Sequence, residues 1–153
     1  MIFDLPHIPE RTERPRQSGL TMMMDKGLSI REAEDFISSG ADYTDLVKFG
    51  FGTALITRGL EEKIRLYKEA GLIPYFGGTL FELFEIRGKF DDFRRFLKKY
   101  GIEMAEISDG SIAMPHEDKL EYIRKLSTEL TVISEVGSKV AGVDIPNAQW
   151  VEM

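Results

Sequence analysis

The chain has 153 residues, with 20 Lys+Arg against 26 Asp+Glu, for a formal net charge of −6. Its 42% hydrophobic and 30% charged residues suit one globular domain with a real core and exclude a disordered chain. There is no cysteine, which removes disulfides, thiolate nucleophiles and zinc–sulfur sites. No apolar run reaches the roughly 18–20 residues of a membrane span. The acidic balance argues against general nucleic-acid binding, which needs a basic face. Met1–Arg14 lacks the apolar core of a secretory leader, so the expectation is a soluble, cytoplasmic domain that binds neither nucleic acid nor membrane.

Residues 1–18 differ from the rest. Pro6, Pro9 and Pro15 stand among Arg11, Glu13, Arg14 and Arg16 with little periodicity. Proline fixes φ and removes a backbone donor, so this stretch reads as an extended arm lying on the domain, with His7 incidental. Over residues 19–153 one unit recurs: an apolar run, a junction of charged or small residues with glycine, then a helical stretch. Strands are expected near 20–25, 45–50, 72–77, 103–108 and 131–136. The runs are short and continuous in hydrophobicity, as strands buried on both faces of a parallel sheet are. After the first run, Ser29 and Glu32 form a capping box, and Ile30, Ala33 and Ile37 share a face until Gly40. Leu60, Ile64 and Tyr67 repeat the pattern before Gly71. Phe93, Phe96, Leu97 and Tyr100 make a third stripe closed by Gly101. Pro115 opens a fourth with Leu120, Ile123 and Leu126. Trp150 is expected to pack the start of a fifth helix.

The fold class is therefore α/β with parallel strands. Length suits an open, flavodoxin-like sheet. A closed (β/α)8 barrel of the TIM type typically takes about 250 residues, so this chain would supply only about the first five of its eight units. The strand ends favour the barrel. Asp25-Lys26-Gly27, Lys48 with Gly50-Phe51-Gly52-Thr53, Gly77-Gly78-Thr79, Glu106 with Ser108-Asp109-Gly110, and Glu135 with Gly137-Ser138-Lys139 all fall at the carboxyl edge, where parallel α/β proteins bind ligands. Lys48, Glu106 and Glu135 sit inside apolar runs, and a buried charge costs several kcal/mol unless paired or metal-bound. Two readings follow: internal ion-pair glue, or convergence on a ligand. In a barrel the three face one axis; in an open sheet they spread along an edge. Gly77-Gly78-Thr79 is open to two readings as well, backbone N–H groups approaching a phosphate or a plain tight turn. His116, at a helix start, reads as a solvated loop residue. The chain has no Walker A pattern, GxSxG elbow, HExxH, or GxGxxG after a strand.

At these strand ends the sequence resembles the phosphosulfolactate synthase family. The matching stretches are Gly19–Gly27 (GLTMMMDKG), Asp45–Thr53 (DLVKFGFGT), Phe76–Glu82 (FGGTLFE), Ala105–Gly110 (AEISDG) and Ser134–Lys139 (SEVGSK), in the family's order and spacing. The resemblance implies a (β/α)8 barrel that adds sulfite to phosphoenolpyruvate with Mg2+, giving (2R)-phospho-3-sulfolactate. That product leads toward coenzyme M in methanogens and toward sulfolactate in some bacteria. Plant heat-stress-associated relatives also belong to the family, so membership alone does not establish the reaction.

The residue chemistry suits such a reaction. Both substrates are anions, and Lys26, Lys48, Lys139 and a divalent cation would offset their repulsion. Attack by sulfur at the methylene carbon drives charge into the carboxylate, giving an enediolate-like intermediate. Glu106, Asp109 and Glu135 are oxygen ligands of the type that holds Mg2+. The family's lysine after Glu-Val-Gly falls at Lys139, which is expected to protonate the carbon bearing the phosphate. Lys48 is the other expected catalytic group, and Lys26, Gly77, Gly78 and Ser138 are the expected substrate contacts. A five-unit piece leaves sheet edges and an apolar face to be covered, by further strand–helix units of a longer protein or by association into a homo-oligomer. The 153-residue chain alone is thus expected to be a poor catalyst. Two other functions stay open: a Schiff-base aldolase-like barrel using Lys48 or Lys139, and a non-catalytic relative acting through protein contacts.

Overall fold

Four-residue apolar strands form the spine of a computed structural model that describes residues 6–8, 10–139 and 141–153. Residues 1–5 and Pro9 of the expected arm lie outside the described residues. The strands are β1 (Met22–Asp25), β2 (Leu46–Phe49), β3 (Ile73–Phe76), β4 (Met104–Ile107) and β5 (Thr131–Ser134). They pair in parallel in the order β1-β2-β3-β4-β5. A flavodoxin-like sheet would place its second strand outside the first. The sequential order excludes that arrangement and is the one a barrel wall requires, so the length argument for an open sheet fails.

The helices are α1 (Ile30–Gly40), α2 (Leu60–Glu69), α3 (Gly78–Glu85), α4 (Phe90–Lys99), α5 (His116–Ser127) and α6 (Asn147–Glu152). α1 opens on the expected capping box: Ser29 Oγ accepts from the Glu32 N–H at 3.2 Å, and the Glu32 carboxylate accepts from the Ser29 N–H at 2.7 Å. Between β3 and β4 the sequence marks one amphipathic stripe, but the structure has two helices. The extra one, α3, reads GTLFELFE; it is nearly apolar all round and buried, so it has no polar face for periodicity to detect. Trp150 lies in α6 and remains exposed.

Alternation along the strands separates two layers. Val47, Phe49, Phe76, Ala105 and Ile107 point outward into one core with Leu60, Ile64, Tyr67, Phe81, Phe93 and Leu97. Edge-on aromatic contacts knit this layer, as between Phe49 and Phe76 at 5.8 Å and between Phe81 and Phe93 at 5.7 Å. The other face of the sheet carries Met24, Lys48 and Tyr75 side by side across β1, β2 and β3. Glu106 follows on that face of β4. Lower on the same face, Met22 and Ile73 remain exposed.

The amino ends of the strands are clasped by the arm. Asp45, just before β2, accepts Arg16 Nη1 at 2.7 Å, the Thr21 N–H at 2.8 Å and Arg11 Nη2 at 3.4 Å. Arg14 donates to the Ala70 carbonyl at 3.2 Å. Asp45 is held below the usual carboxylate range: burial works against ionisation, but the Thr21 N–H and the two guanidinium groups outweigh it.

Candidate active site

The carboxyl ends of the strands carry two distinct ionic clusters. The first belongs to β1 and packs beneath the helices. Asp25 is fully buried; its Oδ1 accepts the Gly27 and Leu28 N–H groups, both at 2.8 Å. Its Oδ2 accepts Lys63 Nζ and Tyr67 Oη, both at 2.9 Å. Lys63 also donates to the Leu28 carbonyl and lies over the Phe49 ring. Burial, with the Asp25 charge, pushes the Tyr67 hydroxyl well above its ordinary range. Four hydrogen bonds satisfy this carboxylate, so Asp25 is structural glue between β1 and α2. Its neighbour Lys26 lies with its ammonium 5.5 Å from the centroid of the exposed Phe51 ring.

The second cluster lies on the inner face. Lys48 Nζ donates to Glu106 Oε1 at 2.6 Å, and the Gly78 N–H donates to the same oxygen at 2.8 Å. Glu106 also hydrogen-bonds Glu135, across from β4 to the end of β5. The ladder carries Glu135 there, since its N–H donates to the Ile107 carbonyl at 2.9 Å. Burial pushes the Glu106 carboxyl above its ordinary range and Glu135 adds to the push, against Lys48 and the Gly78 N–H. Burial opposes ionisation of Glu135 too. Its hydrogen bond with Glu106 and the charges of Lys139 and Lys48 prevail, holding that carboxyl below the usual range. The two acids are thus pushed in opposite directions by their surroundings, Glu106 up and Glu135 down. Tyr75 borders the pair, and burial with both glutamates raises its hydroxyl above the ordinary value.

Lys139 closes the cluster from the loop after β5. Its Nζ lies 3.6 Å from Glu135 Oε1 and 3.2 Å from Ser111 Oγ, and its N–H donates to the Gly110 carbonyl at 3.0 Å. It is the most solvent-accessible cation of the group, with 47% of its side chain exposed. The structure thus brings Lys48, Glu106, Glu135 and Lys139 together, and the ion-pair reading holds for Lys48 and Glu106.

Other expected residues are placed differently. Asp109 Oδ1 accepts Lys119 Nζ at 2.8 Å, forming an ion pair with a lysine whose side chain is 1% exposed. Asp109, Gly137 and Ser138 line a cleft of about 420 Å3 with Met114, Pro115 and Ile145. The N–H groups of Gly77 and Gly78 are already engaged, by the Phe49 carbonyl at 3.1 Å and by Glu106. The glycines serve close approach instead. A Cβ on Gly77 would stand 2.6 Å from Lys48 Cε, and one on Gly78 would stand 2.2 Å from Ser108 Cβ. His116 Nε2 meets Glu152 Oε2 at 2.8 Å, joining α5 to α6, so it is a partnered residue and not a solvated one.

Three contributors escaped the sequence reading. Glu82 on α3 is buried; its Oε1 accepts Ser108 Oγ at 2.6 Å and the Ser111 N–H at 3.1 Å, anchoring the loop after β4. One acid in the apolar stretch Leu80–Phe84 was a usable signal. Lys119 was masked by Glu117 and Asp118 beside it, and Tyr75 by its apolar run. Among the described residues no three histidine or acidic side chains gather as a ready cation site.

Comparison with known proteins places this geometry in context. The chain is 43% identical over 147 residues to the phosphosulfolactate synthase of Bacillus subtilis (strain 168), covering 95% of this chain and 58% of that protein. It is 44% identical over 131 residues to the phosphosulfolactate synthase of Methanocaldococcus jannaschii, covering 84% and 52% respectively. A third relative of the same name, from Methanothermobacter thermautotrophicus, is 37% identical over 134 residues, covering 86% and 52%. The chain spans about half the length of the curated relatives it matches. The family model for (2R)-phospho-3-sulfolactate synthase (ComA) matches residues 9–153, and with sequential parallel strands and the inner-face cluster in place, the chain belongs to that family.

Proposed function

We propose that the protein is a lyase that adds sulfite to phosphoenolpyruvate to form (2R)-phospho-3-sulfolactate. The observation that carries this reading is the inner-face cluster of two lysines and two touching glutamates, at the edge where a parallel barrel binds ligands. In the reaction, the sulfur lone pair forms a C–S bond at the methylene carbon. The C=C π pair moves toward the carboxylate, and the carbon bearing the phosphate ester then takes a proton. Lys48, already held by Glu106, attracts the anionic substrates and stabilises the charge reaching the carboxylate. Lys139, exposed beside Glu135, delivers the proton. Lys26, with its ammonium over Phe51, would meet the anions at the mouth. Ser138, in the cleft beside Gly137, would contact the substrate there.

Mg2+ belongs to the proposal. Two neighbouring carboxylates form a donor set that a divalent cation suits, and Mg2+ ordinarily takes one or two carboxylates plus waters and substrate oxygens. Glu106 and Glu135 would hold it; Asp109, engaged by Lys119, would not. Bound there, it would supply charge neutralisation to the substrate carboxylate. A cytoplasmic setting is also part of the reading, because multiply charged anions do not cross a bilayer unaided. No helix among the described residues is long and apolar enough to cross a membrane.

The test is to incubate the whole protein with phosphoenolpyruvate and sulfite and follow the phosphorus NMR signal. Product that forms with Mg2+, stops with EDTA and is lost in Lys139→Ala and Glu135→Gln supports the reading. Borohydride trapping of a substrate carbonyl on Lys48 or Lys139 would move the assignment to an aldolase-like reaction. Normal cellular function in the Lys139→Ala/Glu135→Gln double variant would move it to a non-catalytic role. Lys48 Nζ is already engaged by Glu106, so it is not poised as a free nucleophile in this geometry.

A further inference from the structure

Lys119 is out of place by ordinary rules. It lies one turn into α5, toward the end of the helix whose dipole disfavours a cation, and its side chain is 1% exposed. Stability alone would place a leucine there. What the ammonium does instead is join two loops. It donates to Asp109 Oδ1 at 2.8 Å, after β4, and to the Glu135 carbonyl at 2.6 Å, after β5. The second of these loops carries both groups that flank the reacting end of the cluster, Glu135 and Lys139. The Lys139 main chain is tied back to Gly110 at 3.0 Å, and its ammonium to Ser111.

We infer that Lys119 is a positioning residue for Lys139 and Glu135: a buried cation that clamps the β4 and β5 loops so that the exposed Lys139 ammonium stays registered against the Glu135 carboxylate. The inference rests on the lyase reading for its catalytic consequence, but the clamp can be read without turnover. The hydrogen bonds of Lys119 go to Asp109 and the Glu135 carbonyl and not to the Glu106–Lys48 pair. Its effect passes through the Glu135 main chain and through Asp109, the chain neighbour of Gly110, whose carbonyl accepts the Lys139 N–H.

The experiment compares the whole protein with Lys119→Met and with Lys119→Met/Asp109→Asn. The double variant leaves no unpaired buried charge, so it folds even if the single variant does not. Amide exchange at residues 108–111 and 136–139 should rise at least tenfold in either variant, with β1–β3 unchanged. Turnover should fall about 100-fold, the usual result of a misplacement near 1 Å, while KM for phosphoenolpyruvate stays within about threefold. A merely structural lysine would lower the folded fraction and leave that split absent. Unchanged exchange in the two loops overturns the clamp, whatever the activity. Raised exchange with unchanged turnover in an active protein overturns its positioning role. If the unsubstituted protein forms no product, the lyase reading fails, and loop exchange still decides the clamp.

Discussion

Replacing Gly78 by alanine tests the packing that seats Glu106. The added Cβ would stand 2.2 Å from Ser108 Cβ, 3.0 Å from Glu106 Oε1 and 3.1 Å from Ser108 Oγ. Ordinary contact begins at 3.4 Å, so Ser108 must retreat by about 1.2 Å. A Cβ cannot swing away on a side-chain torsion; the β4 main chain has to move with it. Ser108 is fixed by Glu82 at 2.6 Å and the Gly110 N–H at 3.1 Å, and the Gly78 N–H itself holds Glu106 at 2.8 Å. Overpacking a close-packed site costs typically about 1–3 kcal/mol, and with backbone displaced on both sides the upper end applies. For a domain of this size about 3 kcal/mol lowers Tm by roughly 6–12 °C. Thermal unfolding followed by circular dichroism reads this directly. A Gly78→Ala protein melting within 1 °C of the parent, with Glu106 still essential, would refute the close approach of α3 to β4.

Three further outcomes follow from geometry. Lys63→Met strands the fully buried Asp25 and should cost about 3–5 kcal/mol, read from urea unfolding; the Asp25→Asn/Lys63→Met double variant should recover part of it. Asp45 ionises more readily folded than unfolded, so its contribution is present above the unfolded carboxylate value and is lost as pH falls through the folded one. The stability gap between parent and Asp45→Asn should therefore be full at pH 7 and close in the acid range, below the ordinary Asp value near ~3.9; a gap independent of pH would contradict the arm clasp. Lys48→Met leaves Glu106 and Glu135 without their inner cation, and product formation by the whole protein should fall at least about 100-fold, with Tm changed far less than by Lys63→Met.

Strand placement was legible because each strand is a short apolar run bounded by glycine and charge. β2, for instance, occupies Leu46–Phe49 inside the expected 45–50. The architecture was legible less from length than from Lys48, Glu106 and Glu135, charges set in apolar runs at equivalent strand ends, where a barrel turns them toward one axis. α3 was invisible because a helix apolar on every side shows no period. The ion-pair partners of Asp109 and Asp25 were not legible, for a common reason. Sequence places a carboxylate at the correct edge of the sheet, but its partner, Lys119 or Lys63, comes from a helix whose inward-facing lysine looks like any solvated one. The glycine pair stayed open to two readings because sequence cannot distinguish a backbone that makes room for a ligand from one that makes room for Lys48 and Ser108.

The neighbour-by-neighbour order of the strands bears on how the molecule comes into being. Each new strand docks against the one synthesised just before it, so a chain leaving the ribosome can accrete its wall unit by unit without waiting for a distant partner. The Asp25–Lys63 lock spans 38 residues and closes once α2 has emerged, whereas the Lys48–Glu106 contact spans 58 and waits for β4. Scaffold therefore precedes chemistry during biosynthesis: the charged inner row is assembled on a frame that has already set.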